Sequence, residues 1–117
     1  MRQITTRFLL FCTVLLFIFA STSFANAMDV SDCVLDYNKL QGKEVEVTGY
    51  LWAAGEYTYI YDKPTGATYL MVETAELPRE IRKKIMTKCT SQKCKTTLTG
   101  IVEDVYYSKG IKATSLR

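Results

Sequence analysis

Residues 42–73 read GKEVEVTGYLWAAGEYTYIYDKPTGATYLMVE, and this stretch decides the fold. Three alternating runs are separated by two turns that carry glycine. In the first, residues 43–52, Val45, Val47, Gly49 and Leu51 share one face. Glu44, Glu46, Thr48, Tyr50 and Trp52 share the other. A period of two over this length predicts a half-buried strand. Gly49 in its middle predicts a bulge or sharp bend. The second run, residues 57–62, puts Tyr57, Tyr59 and Tyr61 on one face and Thr58 and Ile60 on the other. Its aromatic and β-branched residues favour extended backbone. Asp62-Lys63-Pro64-Thr65-Gly66 predicts a turn, because proline presets φ and glycine tolerates positive φ. The third run, residues 67–73, sets Leu70 and Val72 against Tyr69 and Met71.

Downstream the period changes. Leu77, Ile81 and Ile85 are four apart and form one helical stripe, flanked by Met86. Pro78 suits the first helical turn. The predicted helix ends near Lys88. A fourth strand over residues 95–105 carries Leu98, Gly100 and Val102 on one face. Tyr106 to Gly110 predicts the next hairpin, with Ser108-Lys109-Gly110 as its turn, and residues 111–116 the fifth strand. Upstream, residues 28–40 (MDVSDCVLDYNKL) predict one or two helical turns capped by Ser31 or Asp32 and stopped before Gly42. Val34, Leu35 and Tyr37 are the expected apolar contacts of that helix.

The order is three strands, a helix, then two strands. It predicts a mainly β chain: a five-stranded OB-type Greek-key barrel, with a helix between strands 3 and 4 and a short N-terminal helix. The expected interior is Val45, Val47, Leu51, Ile60, Leu70, Val72, Leu98, Val102 and Ile111, stoppered by Leu77, Ile81 and Ile85. An open α+β sheet with the helix on one face is the alternative.

The chain opens with Arg2 and Arg7, the apolar run FLLFCTVLLFIFA at residues 8–20, and a small-residue stretch ending in Ala25-Asn26-Ala27. That pattern predicts a signal peptide over residues 1–27 and an exported domain over 28–117. The apolar run is short for a bilayer span, which disfavours an uncleaved anchor. Val30-Ser31-Asp32 before Cys33 does not suit lipid attachment. The expected location is periplasmic or secreted, with no membrane contact after cleavage. Such a compartment lets disulfides persist. Cys12 leaves with the signal, and Cys89 and Cys94 flank a short polar loop, so they are the natural pair. Pairing of Cys33 with either one stays open. Without histidine, three thiolates do not complete a closed zinc set, so no metal or cofactor is expected.

The motifs also carry a resemblance. Gly42-Lys43-x-Val45-x-Val47-x-Gly49-Tyr50-Leu51, then Tyr59-x-Tyr61-Asp62, then Gly66, resembles the opening of OB domains and is similar in outline to the anticodon-binding type. With the signal peptide, the small size and Gly100-x-Val102, the chain resembles the periplasmic bacterial OB-fold (BOF) proteins over residues 40–117. It departs from them in its Cys89–Cys94 loop and its longer basic helix. The resemblance implies a small binding module of the bacterial envelope, with an unknown small ligand or envelope protein as partner.

Candidate binding residues are Tyr50, Trp52, Tyr57, Tyr59, Tyr61 and Tyr69, which alternation places on outward faces. In OB folds the outer face of strands 2 and 3 holds the ligand, and aromatic rings there stack on bases or sugars. The bland alternative is that these rings cover the sheet and fill a second small core. A nucleic-acid-binding OB domain and a subunit of a secreted glycan-binding assembly are the other functional readings. Loss of the signal leaves the domain about neutral, which disfavours nucleic acid. Arg79, Arg82, Lys83, Lys84, Lys88, Lys93 and Lys95 nevertheless crowd one segment opposed only by Glu80. They predict either a solvated helix face or a patch for an anionic partner. Absence of histidine, of a glycine-flanked serine and of a phosphate loop leaves catalysis without support, so no enzyme is expected.

Overall fold

The computed structural model describes residues 27–117, so the expected signal segment lies outside it except for Ala27. The elements are β1 (Met28–Asp29), α1 (Val30–Leu35), α2 (Tyr37–Leu40), β2 (Glu44–Ala54), β3 (Tyr57–Tyr61), β4 (Tyr69–Glu73), α3 (Arg79–Lys88), β5 (Cys94–Val102) and β6 (Gly110–Leu116). Among the described residues, no helix is long and apolar enough to cross a membrane.

The long strand β2 is shared. It pairs antiparallel with β5 from Glu44 to Leu51 and with β3 from Tyr50 to Ala54. β3 pairs antiparallel with β4, and β5 with β6. A short parallel ladder, Met71–Glu73 against Gly110–Lys112, joins β4 to β6 and closes the barrel. β1 adds to β2 at Val47 and Thr48, on the stretch that β3 does not reach. The chain is therefore a mainly β, five-stranded closed barrel with one extra strand and short helices.

The nine residues expected inside are all buried: Val45, Val47, Leu51, Ile60, Leu70, Val72, Leu98, Val102 and Ile111. Alternation fixed them because a strand sends successive side chains to opposite faces. Both mid-strand glycines are sites of close approach. A Cβ on Gly49 would lie 2.5 Å from the Tyr61 carbonyl oxygen and 2.7 Å from Val30 Cγ2. Gly100 sits at the register shift between β5 and β6, and a Cβ there would collide with the Lys112 carbonyl oxygen.

The two barrel ends are closed by different helices. α3 follows Pro78, which is the N-cap rather than the first helical residue. Leu77 and Ile85 are buried, but Ile81 is only half-buried. The end of α3 meets the last part of β2, where the Ala53 amide donates to the Cys89 carbonyl (2.9 Å). At the other end α1 supplies Val30 and Cys33, both fully buried. Of the expected contacts from this segment, Tyr37 is buried, but the other two need correction. Leu35 is 82 % exposed and Val34 half-buried. Asp29 occupies the N-cap, and its side chain makes no capping bond. The helix starts at Val30, directly after β1 and earlier than expected, and turns Val30 and Cys33 inward.

Tyr37 ties that end together. Its hydroxyl donates to Asp104 Oδ1 (2.7 Å) and accepts the Gly110 amide (3.1 Å). Burial and the Asp104 carboxylate push its ionisation up to about 12 from an ordinary 10.0. The disulfide joins Cys89 to Cys94, with Cα atoms 5.4 Å apart, leaving Cys33 free and buried. Burial, with Asp36 nearby, pushes the Cys33 thiol up, which keeps it protonated and inert.

Two outcomes are expected. Gly100→Ala should lower stability by roughly 1–3 kcal/mol in urea unfolding, because backbone rather than a flexible side chain must move. The folded state also holds the Tyr37 proton more tightly than the unfolded chain does. Its stabilising contribution is therefore complete below pH 10.0 and is lost as pH rises toward about 12. Tyr37→Phe should flatten that decline in a pH series of unfolding midpoints.

A candidate aromatic binding face

The ladder registers bring outward-facing rings together. Trp52 stands opposite Tyr59, Tyr50 opposite Tyr61, and Tyr61 opposite Tyr69. Trp52 lies 6.1 Å from Tyr59 and 6.3 Å from Tyr61, centroid to centroid. Tyr59 meets Tyr69 edge-on at 5.4 Å, and Tyr61 meets Tyr69 at 5.6 Å. These tilted and edge-to-face geometries suit the ring quadrupole. Trp52, Tyr59 and Tyr61 are half-buried and Tyr69 is 44 % exposed.

Two of the six candidates stand apart. Tyr50 lies between Tyr61 and Lys95 in the ladders and forms no ring pair among the described residues. Tyr57, at the start of β3, packs edge-on against Tyr106 at 5.1 Å instead.

The disulfide loop braces the four-ring cluster from the side. The Trp52 indole N–H donates to the Thr90 carbonyl (3.1 Å). Lys93 lies 3.8 Å above the Tyr61 ring and donates to the Pro64 carbonyl (2.7 Å). A cation over a ring contributes ~0.5–1 kcal/mol at exposed sites. Burial, then the neighbouring Tyr59 and Tyr69, push the Tyr61 hydroxyl up, so it stays neutral at physiological pH. The face is thus uncharged and flat-sided, edged by hydroxyls, with one lysine at its border. It can stack on a planar or apolar ligand surface and hydrogen-bond at the rim. No three His, Cys, Asp or Glu side chains gather as metal ligands among the described residues.

Sequence reasoning put Tyr106 and Tyr107 in a hairpin but not at its turn, and did not foresee their contacts. The hairpin turn falls on them rather than on Ser108-Lys109-Gly110. Val105 and Ser108 exchange backbone hydrogen bonds (2.9 and 3.0 Å) around the pair. Both tyrosines have positive φ, 50° and 65°. A two-residue turn with positive φ at both centres matches the twist of the flanking strands, but ordinarily selects Asn or Gly. Tyr107 is fully exposed, and Tyr106 carries the contact to Tyr57. A pair of adjacent tyrosines between acidic Glu103-Asp104 and a Ser-Lys-Gly run was the available signal. Tyr107→Gly should therefore raise the melting temperature, by about 1 kcal/mol of stability, because it relieves the backbone without removing a packed ring. Unchanged or lowered stability in thermal unfolding would contradict the strain.

No family model and no curated protein matches the chain. Among solved structures it is similar to OBody AM1L10 bound to hen egg-white lysozyme, at 21% identity and a TM-score of 0.50, covering 68% of this chain and 80% of that one. It is also similar to OBody AM3L09 bound to hen egg-white lysozyme, at 23% identity and a TM-score of 0.48, over 67% of this chain and 82% of that one. A third is asparaginyl-tRNA synthetase from Pyrococcus horikoshii complexed with asparaginyl-adenylate, at 17% identity and a TM-score of 0.48. There the match covers 68% of this chain and 19% of the synthetase. At these identities the likeness concerns architecture, and with the strand pairing above it makes this chain an OB-type barrel.

Proposed function

We propose that this protein is an exported binding module of the bacterial envelope, of the BOF-like kind, that holds a small ligand or a protein partner on its aromatic face. The observation that carries the reading is the grouping of Trp52, Tyr59, Tyr61 and Tyr69 on three adjacent strands, with Tyr69 left open to solvent. Large rigid rings lose little entropy on binding and offer much contact area, which is why aromatic side chains dominate binding hot spots. The Cys89–Cys94 disulfide supports an oxidising location. The near-neutral domain weighs against nucleic acid as occupant. In this reading the rings stack on the partner, and Lys93, held over Tyr61, borders the face.

The test is a pull-down with the mature protein from envelope extract, followed by titration of the recovered partner. Trp52→Ala removes the cluster's largest ring but also its tether to Thr90, so Tyr69→Ala is the cleaner probe. Tyr69→Ala should weaken binding about tenfold, and Trp52→Ala should weaken it further, with both variants retaining native circular dichroism. Full affinity in both would locate the partner on another surface.

A further inference from the structure

A second surface has different chemistry. Between α3 and the adjoining ends of β5 and β6 lies an open, largely apolar pocket of about 310 Å³. Ile81, Ile85, Leu116 and the Cys89–Cys94 disulfide form its walls. Ile81 and Leu116 are only half-buried, so their outer surfaces are what the pocket exposes. Lys84 and Lys88 line the same pocket from α3, with Arg117 beside them.

The charges there are not equivalent. Arg117 is ion-paired to Glu46. Lys84 and Lys88 are exposed and form no ion pair among the described residues. They are one helical turn apart, and hence on one flank of α3. Lysine stems lie along apolar surface while the ammonium stays in water. The pocket is therefore an apolar concavity bordered by two uncompensated cations. A metal ion is excluded by that charge. A neutral apolar ligand would leave both ammonium groups unused. The volume is near the lower end of small-molecule sites, too small to enclose a two-chain lipid.

We propose that this pocket binds a single-chain amphipathic anion, its aliphatic body against Ile81, Ile85 and Leu116 and its carboxylate or phosphate head between Lys84 and Lys88. None of the pocket residues belongs to the aromatic face, so this site stands or falls independently of the function proposed above. Hydrophobic transfer supplies the contact with the body, and charge complementarity selects the head.

The experiment is a nuclear magnetic resonance titration of the oxidised protein with octanoate and octyl phosphate, each below its micelle concentration. Acetate serves as a head without a body, and 1-hexanol as a body without a head. Saturable shifts at Ile81, Ile85 and Thr96 from either amphiphile support the site, and the tighter of the two names the head. Acetate and hexanol should bind at least about tenfold more weakly. Lys84→Glu with Lys88→Glu should weaken octanoate by about tenfold or more, while Trp52 fluorescence stays unchanged. Lys84→Gln with Lys88→Gln, which removes charge without reversing it, should give a smaller loss and covers the case of a misfolded reversal variant. Hexanol binding as tightly as octanoate, full octanoate affinity in both double variants, or shifts confined to the aromatic face would overturn the proposal.

Discussion

Three residues of parallel ladder hold the barrel shut, and the rest of the structure depends on that seam. Met71, Val72 and Glu73 pair with Gly110, Ile111 and Lys112. No other pairing links β4 to β6, so without it the sheet would have two long free edges. Gly110 is at the head of the seam. A Cβ on it would lie 2.6 Å from Val105 Cγ2 and 2.9 Å from the Met71 carbonyl oxygen. Its amide is bonded to the Tyr37 hydroxyl, which in turn holds Asp104. The seam, the N-terminal plug and the Tyr106–Tyr107 turn therefore converge on one residue without a side chain. Val30 and Cys33 are themselves fully buried, with Val30 against Gly49 of β2.

This convergence explains which parts of the fold were legible in the sequence. Strand interiors were, because a period of two over five or more residues has one physical cause, a face in oil and a face in water. The helix between β4 and β5 was legible from Leu77, Ile81 and Ile85, although the geometry gives Ile81 a half-open position. The N-terminal helix was legible too, but the residues it turns inward were not. Val30 and Cys33 are a single i, i+3 pair in a six-residue helix, and so short a segment has no periodicity to read. The last turn was misplaced for a different reason. Gly110 looked like a turn residue, but it does not have the positive φ that a glycine turn uses. It is glycine because Met71 and Val105 approach it. A sequence shows that a glycine is present, and not whether torsion or proximity demands it.

For the candidate site, alternation placed all six aromatic residues on outward positions, but it could not say which rings would meet. That depends on inter-strand register, and register depends on closure. The pairing of Tyr61 with both Tyr50 and Tyr69 puts it at the centre of the ladder. The Tyr57–Tyr106 contact joins residues far apart in the chain and follows from β6 lying beside β4. The role of the Cys89–Cys94 loop was equally hidden. It brings the Thr90 carbonyl to Trp52 and Lys93 to Tyr61, while its sulfurs form a wall of the pocket beneath α3. One covalent link thus borders two surfaces of unlike chemistry.

The same contrast limits what net charge can say. A domain that is about neutral overall projects little field at long range, so it gains no electrostatic steering toward a polyanion. Local charge nevertheless differs from one surface to the next, and at physiological salt only charges within about 8 Å are strongly felt. Each surface then acts on its own local charge. At α3 that local charge is Arg79, Arg82, Lys83, Lys84 and Lys88 against Glu80. At the aromatic face it includes Lys93, already engaged with Tyr61 and Pro64. Neutrality of the whole is a cancellation between patches of different local charge. An anionic ligand would be recognised at α3 on contact rather than drawn there from a distance.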